Sequence, residues 1–151
     1  MQLSDRALYE IYLPAFKAAV ERGKAWSIMG AYNKVRGTHA THHKLLNNDI
    51  LKGEWNFDGC VITDWGAAHD TYEAAMYGLD IEMGSYTNGL TSESEFGYDD
   101  YYLGKSYLKM VREGKIPMEV VNYKAASVFR LIFSTAMNRR KPFGALTSEE
   151  H

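Results

Sequence analysis

Short apolar runs alternate along the chain with segments of helical periodicity, and this alternation predicts the order of the elements. The apolar runs at residues 25–32, 59–63 and 79–83 predict strands, the first of them ending near Tyr32 and Asn33. The run at 79–83 alternates apolar and acidic residues, which is the period of a strand. Three strands separated by helical segments are typical of a parallel sheet in an α/β fold.

Helical spacing of apolar residues predicts five helices around these strands. Pro14 lies inside the apolar pattern of the first helix, which predicts a break or a kink there. Asp64 stands shortly before the third helix, and aspartate is a favoured N-cap residue. The predicted helices cover residues 5–23, 47–55, 67–77, 101–111 and 117–137.

The remaining segments predict loops and a tail. Residues 36–43 are polar and contain a glycine, which favours a loop. Residues 84–100 contain Ser, Thr, Asn, Gly and acidic residues throughout, which favours a long loop that is either functional or mobile. The composition after residue 138 is typical of a linker. We therefore predict one compact unit over residues 1–138 and a linker or tail over residues 139–151.

The composition is that of a folded domain and argues against several classes of partner. The 151 residues are 46% hydrophobic and 13% aromatic, which excludes a disordered chain. The formal net charge is -2, so neither nucleic acid nor an anionic membrane surface is an expected partner. No apolar run has the length of a membrane span. Because the first five residues lack the features of a signal peptide, we expect a cytoplasmic protein, with a missing leader as the alternative.

Cysteine and histidine give no sign of a metal or cofactor. Cys60 is the only cysteine, and its place in an apolar run predicts a buried, inert thiol. His39, His42 and His43 lie close together in the sequence, and imidazole is a common metal ligand. No carboxylate or cysteine accompanies them at a recognisable ligand spacing, so we interpret them as part of a polar loop. We expect neither a metal nor a cofactor.

Polar side chains at the ends of the predicted strands are the candidates for function. Asp64 ends the 59–63 run, where α/β folds place their chemistry, although its spacing alone favours the capping role over catalysis. Tyr32 and Asn33 offer a hydroxyl and an amide that can hydrogen-bond a polyol, with a structural tyrosine as an equal alternative. Trp65 offers a ring face that can stack on a sugar. Glu82 is the only other carboxylate with a plausible route to this edge.

Five ordered blocks of the sequence resemble glycoside hydrolase family 3, and its β-glucosidase branch most of all. The blocks are residues 4–16, 29–37, 49–59, 63–66 and 78–83, and they include Met-Gly-Ala-Tyr-Asn (29–33), Thr-Asp-Trp-Gly (63–66) and Gly-Leu-Asp-Ile-Glu-Met (78–83). The resemblance implies that Asp64 is the nucleophile of a retaining hydrolase and forms a covalent glycosyl-enzyme. It also implies that Tyr32 and Trp65 line the sugar subsite. The expected substrate is a small saccharide or an aryl β-glucoside with a terminal β-linked glucosyl residue.

The resemblance covers only the C-terminal half of a (β/α)8 barrel, so it implies a half-barrel over residues 1–138. Family members carry further sugar-binding residues before this point and an acid/base glutamate in a later domain. General acid catalysis contributes about 10²–10⁴-fold, so we expect reduced activity, with the acid role falling to Glu82 or His69. Exposed strand edges predict a homo-oligomer such as a dimer, or a complementing half-barrel chain.

Two alternatives to an active hydrolase stay open on the sequence. The chain could be a catalytically silent remnant that binds sugar or has only a structural role. It could also be one piece of a split enzyme whose other polypeptide supplies the missing half. The sequence does not fix the glycone, because the residues that would select it lie in segments with no counterpart here.

Overall fold

The computed structural model describes residues 3–84 and 101–137. The predicted loop after Gly84 and the predicted linker at 139–151 lie outside these residues. The strands are β1 (Ser27–Gly30), β2 (Lys34–Val35), β3 (Thr38–His39) and β4 (Cys60–Thr63). The helices are α1 (Asp5–Ala7), α2 (Leu13–Glu21), α3 (Thr71–Met76), α4 (Lys105–Arg112) and α5 (Met118–Ile132), with π-helical segments at Leu8–Tyr12, Leu45–Glu54 and Phe133–Met137 and a 3₁₀ turn at Ala40–His42.

Two parallel strands form the centre of the fold, which confirms the α/β class. β1 pairs with β4 along four residues, with Ser27 opposite Cys60 and Gly30 opposite Thr63. On the opposite edge of β4, Ile81 forms a single parallel bridge to Ile62. The strand predicted at 25–32 is therefore shorter than its apolar run and ends two residues before Tyr32.

The strand predicted at 79–83 is reduced to that single bridge, and Asp80 gives the reason. The Val61 amide donates to Asp80 Oδ2 at 2.8 Å, so a side chain takes the place of a backbone carbonyl in the ladder. The Val61 carbonyl in turn accepts the amides of Asp80 and Ile81, at 2.9 and 3.0 Å. This pairing fixes the segment to β4 without forming a regular strand.

The first helix does not end at Pro14, but it changes type beside that residue. The turn Leu8–Tyr12 is π-helical, with the Leu13 amide donating to the Leu8 carbonyl, and α2 begins at Leu13. One further helix prediction needs correction. The third helix begins at Thr71 and not at Ala67, since Asp70 is its N-cap and accepts the Glu73 amide at 2.7 Å.

The segment at 36–43 is more regular than the predicted loop. β2 and β3 form an antiparallel hairpin in which Lys34 lies opposite His39 and Val35 opposite Thr38. Arg36 and Gly37, the two connecting residues, have φ values of 51° and 94°, as in the two-residue turns that suit the twist of a hairpin. The 3₁₀ turn follows at once and packs against β1.

In the described residues an apolar cluster lies between β4, α3 and the helical segment Leu45–Glu54. Ile50, Ala74 and Leu79 are its most completely buried members, each with no exposed surface. Cys60 is also fully buried, which confirms the predicted position of the thiol, and burial raises its pKa to about 11. The members of the cluster are Val20, Ile50, Leu51, Trp55, Phe57, Val61, Ala68, Ala74 and Leu79.

Buried charges accompany this cluster. Lys52 Nζ lies 2.7 Å from Asp80 Oδ2, and the two side chains are 9% and 0% exposed. Lys124 on α5 donates to the carbonyls of Leu79 and Ala74, and burial lowers its pKa to about 8.

Among the described residues, no helix is both long and apolar enough to cross a bilayer.

Candidate active site

Asp64 lies at the point where the C-terminal ends of the parallel strands meet. It follows Thr63, the last residue of β4, and its amide donates to the carbonyl of Gly30 at the end of β1, at 3.2 Å. On the other edge, Thr63 donates its amide to the Ile81 carbonyl and accepts the Met83 amide on Oγ1, at 3.0 and 2.6 Å. The backbone around Asp64 is thereby fixed from both neighbouring segments.

Asp64 does not cap a helix, so the capping interpretation is wrong. Its Oδ1 accepts the amide of Trp65 at 2.8 Å, and the helix starts seven residues later under the cap of Asp70. The side chain is half-buried. A carboxylate in this position is available to a ligand at the end of the sheet.

Tyr32 is the side chain that the structure brings to Asp64. Partial desolvation, the neighbouring Asp64 side chain as an acceptor and its charge together raise the pKa of Tyr32 above its ordinary value. The Tyr32 hydroxyl therefore keeps its proton at neutral pH and can donate towards the Asp64 side chain.

A cleft of about 630 Å³ adjoins this pair, and its lining includes Tyr32, Asn33 and Asp64. Three of the predicted site residues are thus together on one surface. Trp65 is outside this lining, although it follows Asp64 directly and its side chain is 56% exposed. The rest of the cleft is largely apolar, with Ile28 and Met29 of β1 and Phe16 of α2.

Glu82 is held by the turn that precedes α4. Its two carboxylate oxygens accept the amides of Tyr102 and Leu103, at 3.2 and 2.7 Å. Burial raises the pKa of Glu82, whereas these two amides oppose the rise. The raised pKa has the direction that a general acid needs, but both oxygens already have backbone partners. An acid role for Glu82 stays a prediction.

The histidines are packed more tightly than a polar loop would be, which corrects that interpretation. His42 is 2% exposed; its Nε2 accepts the His69 amide at 3.2 Å, and its Nδ1 lies 2.9 Å from Glu73 Oε2. The His39 ring meets the His69 ring edge-on at 3.7 Å between centroids. Burial and the neighbouring histidines lower the pKa of His39 to about 4. In the part of the chain that the structure describes, no group of three or more His, Cys, Asp or Glu side chains is arranged to hold a metal ion.

The sequence pattern does not predict the contact between His42, which it places in a polar loop, and Glu73. Their contact depends on the hairpin at 34–39 and on the start of α3, neither of which the apolar pattern predicts. Asp70 was also missed as a cap, although an acidic N-cap followed three residues later by glutamate resembles the capping box that often starts a helix.

Solved structures of β-glucosidases resemble this chain. The β-glucosidase DesR from Streptomyces venezuelae, in complex with D-glucose, matches with a TM-score of 0.77 and 28% identity over 93% of this chain and 18% of its own. β-Glucosidase 3B from Thermotoga neapolitana, in complex with glucose, matches with a TM-score of 0.74 and 30% identity over 87% of this chain and 18% of its own.

Proteins similar to this chain in sequence are also named β-glucosidases. Beta-glucosidase BoGH3A from Bacteroides ovatus is 97% identical over all 151 residues, which are 20% of that protein. Thermostable beta-glucosidase B from Acetivibrio thermocellus is 31% identical over 92% of this chain and 17% of that protein. The chain therefore spans a fifth or less of the length of these relatives. Residues 1–131 match the model described as the glycosyl hydrolase family 3 N terminal domain, and the chain belongs to this family.

Proposed function

We propose that this chain carries the nucleophile of a retaining β-glucosidase and that Asp64 is that nucleophile. The observation that supports this most directly is the Asp64 carboxylate itself, which stands at the carboxyl end of β4, caps no helix and lines one cleft together with Tyr32 and Asn33. Parallel α/β folds build their sites at this end of the sheet. The named activity of the relatives supplies the substrate class, a terminal β-linked glucosyl residue.

The proposed reaction has two displacements at the anomeric carbon. Asp64 attacks that carbon as a general acid protonates the departing aglycone oxygen, and a glycosyl ester forms; the same group then takes a proton from water, which attacks the anomeric carbon and restores the carboxylate with net retention. The amide of Trp65, with Tyr32 beside the carboxylate, is proposed to hold Asp64 in one orientation for the attack. Trp65, with an exposed ring next to the nucleophile, is proposed to stack on the sugar.

The acid step is the weaker part of the site in this chain. Glu82 and His69 are the proposed candidates, but the Glu82 oxygens accept two backbone amides and burial lowers the pKa of His69. A neutral imidazole is a poor proton donor to a leaving oxygen. We therefore expect hydrolysis to depend on leaving groups that need little protonation, with reduced rates for alkyl glucosides and oligosaccharides.

A mechanism-based label tests the nucleophile directly. The chain is incubated with an activated 2-deoxy-2-fluoro-β-glucoside, which slows the second displacement, and is then digested and analysed by mass spectrometry. We expect one glycosyl adduct on the peptide that carries Asp64 and none in the Asp64→Asn variant. An unlabelled Asp64, under conditions that label a full-length relative, contradicts the proposal.

A silent sugar-binding remnant is the second candidate, because Tyr32 and Trp65 are exposed and could contact a sugar without cleavage. Hydrolysis of an activated aryl glucoside by the wild type and by Asp64→Asn separates the two functions. A rate that falls to background only in the variant supports catalysis. Equal background rates in both, together with retained glucose binding, support the remnant.

We further propose that the described strands are half of a barrel and that two copies, or a complementing chain, cover the open side. In the described residues no strand pairs with the outer edge of β1. Large apolar side chains along that side are exposed, with Met29 at 61%, Phe16 at 52% and Trp26 at 50%. Light scattering should give a mass above that of the monomer, and Met29→Lys should lower it. A monomeric wild type with an ordered core contradicts self-association.

A further inference from the structure

We propose that His42 is a positioning residue for the segment that follows Asp64, acting as a buried hydrogen-bond acceptor fixed in one tautomer by Glu73. The inference rests on the proposed function only for the role of Asp64. Its structural basis is the contact of His42 Nε2 with the His69 amide on one side and of His42 Nδ1 with Glu73 Oε2 on the other.

The segment between β4 and α3 has no regular secondary structure, so its shape depends on a few contacts. Near Asp64 the chain is fixed by backbone bonds: the Gly66 amide donates to the Met83 carbonyl and the Ala67 amide to the Asp64 carbonyl, at 3.0 and 3.1 Å. At the far end, Ala68 packs in the apolar cluster and the His69 ring meets that of His39, while the backbone of the segment is bonded to the 3₁₀ turn by the His69 amide, which donates to His42. Loss of this hydrogen bond would leave the His69 backbone without its bond to that turn.

The donor at His69 determines the protonation of the ring. A nitrogen that accepts an amide hydrogen carries no proton, so the neutral imidazole of His42 must carry its proton on Nδ1. That nitrogen lies 2.9 Å from Glu73 Oε2, and the carboxylate favours a proton there. Glu73 itself lies in the first turn of α3, where the helix dipole favours an anion.

The surroundings of His42 keep the ring in place. The residue is 2% exposed, and the 3₁₀ turn that carries it packs closely on β1. Gly30 makes this approach possible, because a Cβ at that position would lie 2.2 Å from Thr41 Oγ1. The neighbouring titratable rings are those of His39, whose centre lies 5.6 Å from the centre of the His42 ring, and of His69, which meets the His39 ring. Burial lowers the pKa of both His39 and His69, so neither ring brings a positive charge near His42 at neutral pH.

Two variants of His42 separate the acceptor from the rest of the side chain. In His42→Gln, the amide oxygen can reach the position of Nε2 and accept the His69 amide. In His42→Asn, the shorter side chain keeps a polar group only at the position of Nδ1, near Glu73. A positioning acceptor is rescued by glutamine and not by asparagine; because asparagine also leaves a larger void, this result counts only together with a change at His69 in Glu73→Ala, which leaves the His42 ring in place.

Nuclear magnetic resonance of the complete 151-residue chain gives the readout. We expect the ring nitrogens of wild-type His42 to show the Nδ1-protonated tautomer and the His69 amide to exchange slowly with solvent. Exchange should be roughly tenfold faster or more in His42→Asn, as the loss of one hydrogen bond predicts, and close to wild type in His42→Gln. The Val61 amide, bonded to Asp80 in the core, is the control that the fold is intact.

Glu73→Ala tests the same proposal without altering the ring and covers the case in which a His42 variant does not fold. It should raise the population of the Nε2-protonated tautomer and speed up exchange at His69. Wild-type exchange at His69 in either His42→Asn or Glu73→Ala, or an Nε2-protonated His42 in the wild type, overturns the proposal.

Labelling of Asp64 by the fluoroglucoside then connects this geometry to the chemistry. We expect a labelling rate at least about tenfold lower in His42→Asn than in His42→Gln, since small displacements of a reacting group are costly. Equal labelling rates in the two variants overturn the link to catalysis. If wild-type Asp64 is not labelled at all, the proposed function fails, while the exchange data still decide whether His42 holds the segment.

Discussion

Replacing Lys52 by methionine should destabilise the protein strongly, because it leaves a buried carboxylate without its cation. Lys52 Nζ lies 2.7 Å from Asp80 Oδ2, and the Asp80 side chain has no exposed surface. After the change, Asp80 Oδ2 would retain the Val61 amide at 2.8 Å as its hydrogen-bond donor, and Lys124 would contribute a more distant positive charge.

The expected loss is about 3–5 kcal/mol of unfolding free energy, the usual cost of removing one partner of a buried ion pair. That is a large share of the roughly 5–15 kcal/mol that stabilises a typical domain. Lys52 Nζ also lies 5.0 Å from the centre of the Tyr123 ring, and this cation–π contact would be lost as well. The methionine side chain fills much of the volume of the lysine stem, so little of the loss would come from a cavity.

Urea unfolding followed by tryptophan fluorescence measures the loss, and Lys52→Met/Asp80→Asn is the matched control. Because the double variant has no buried charge at this pair, it should be clearly more stable than Lys52→Met alone. The transition midpoint should move without a change in the urea dependence of the free energy. A loss below about 1 kcal/mol in Lys52→Met, or a double variant as unstable as the sum of the single ones, would refute the reasoning.

Two further predictions concern Lys124 and Gly30. The pKa of Lys124 is about 8 in the folded chain against 10.5 for a free lysine, so above pH 8 the unfolded chain holds the extra proton and stability should rise with pH. Lys124 should contribute a rise of about 1.4 kcal/mol between pH 7 and 9, measured as the difference between the wild type and Lys124→Met, because the Cys60 thiol ionises near its ordinary pKa of 9 in the unfolded chain and opposes the rise in both proteins. Gly30→Ala places a Cβ 2.8 Å from the buried Thr41 Cα and should cost about 1–3 kcal/mol in thermal unfolding; an unchanged melting temperature would contradict the geometry.

The sequence predicts the position of Asp64 at the end of a strand, but it does not predict that Asp70, and not Asp64, caps the next helix. A β-branched apolar run that stops at a carboxylate predicts the end of a buried strand, and β4 ends at Thr63. Whether Asp64 or Asp70 caps the next helix depends on where the helix starts, and element boundaries are the least certain part of sequence reasoning. The glutamate three residues after Asp70 is the local signal that favours the later start.

The predicted strand at 79–83 shows a different limit. Its alternation of apolar and acidic residues predicts one buried and one open face, but Leu79 and Asp80 are both buried, and Ile81 forms the single bridge to β4. The Asp80 side chain turns inward because it accepts the Val61 amide in place of a carbonyl. Periodicity does not reveal that a carboxylate on this segment replaces a backbone group of the ladder.

The contacts that orient Asp64 are all made within residues 30–83, and this separates the two halves of the proposed chemistry. The Gly30 carbonyl accepts the Asp64 amide and the Trp65 amide donates to the Asp64 carboxylate, while Thr63 ties the same strand end to Met83. The Glu82 carboxylate is instead bonded to the turn before α4. The proposed nucleophilic attack is therefore the step that the contacts around Asp64 would support, and we expect the proton for the leaving group to require a further partner group.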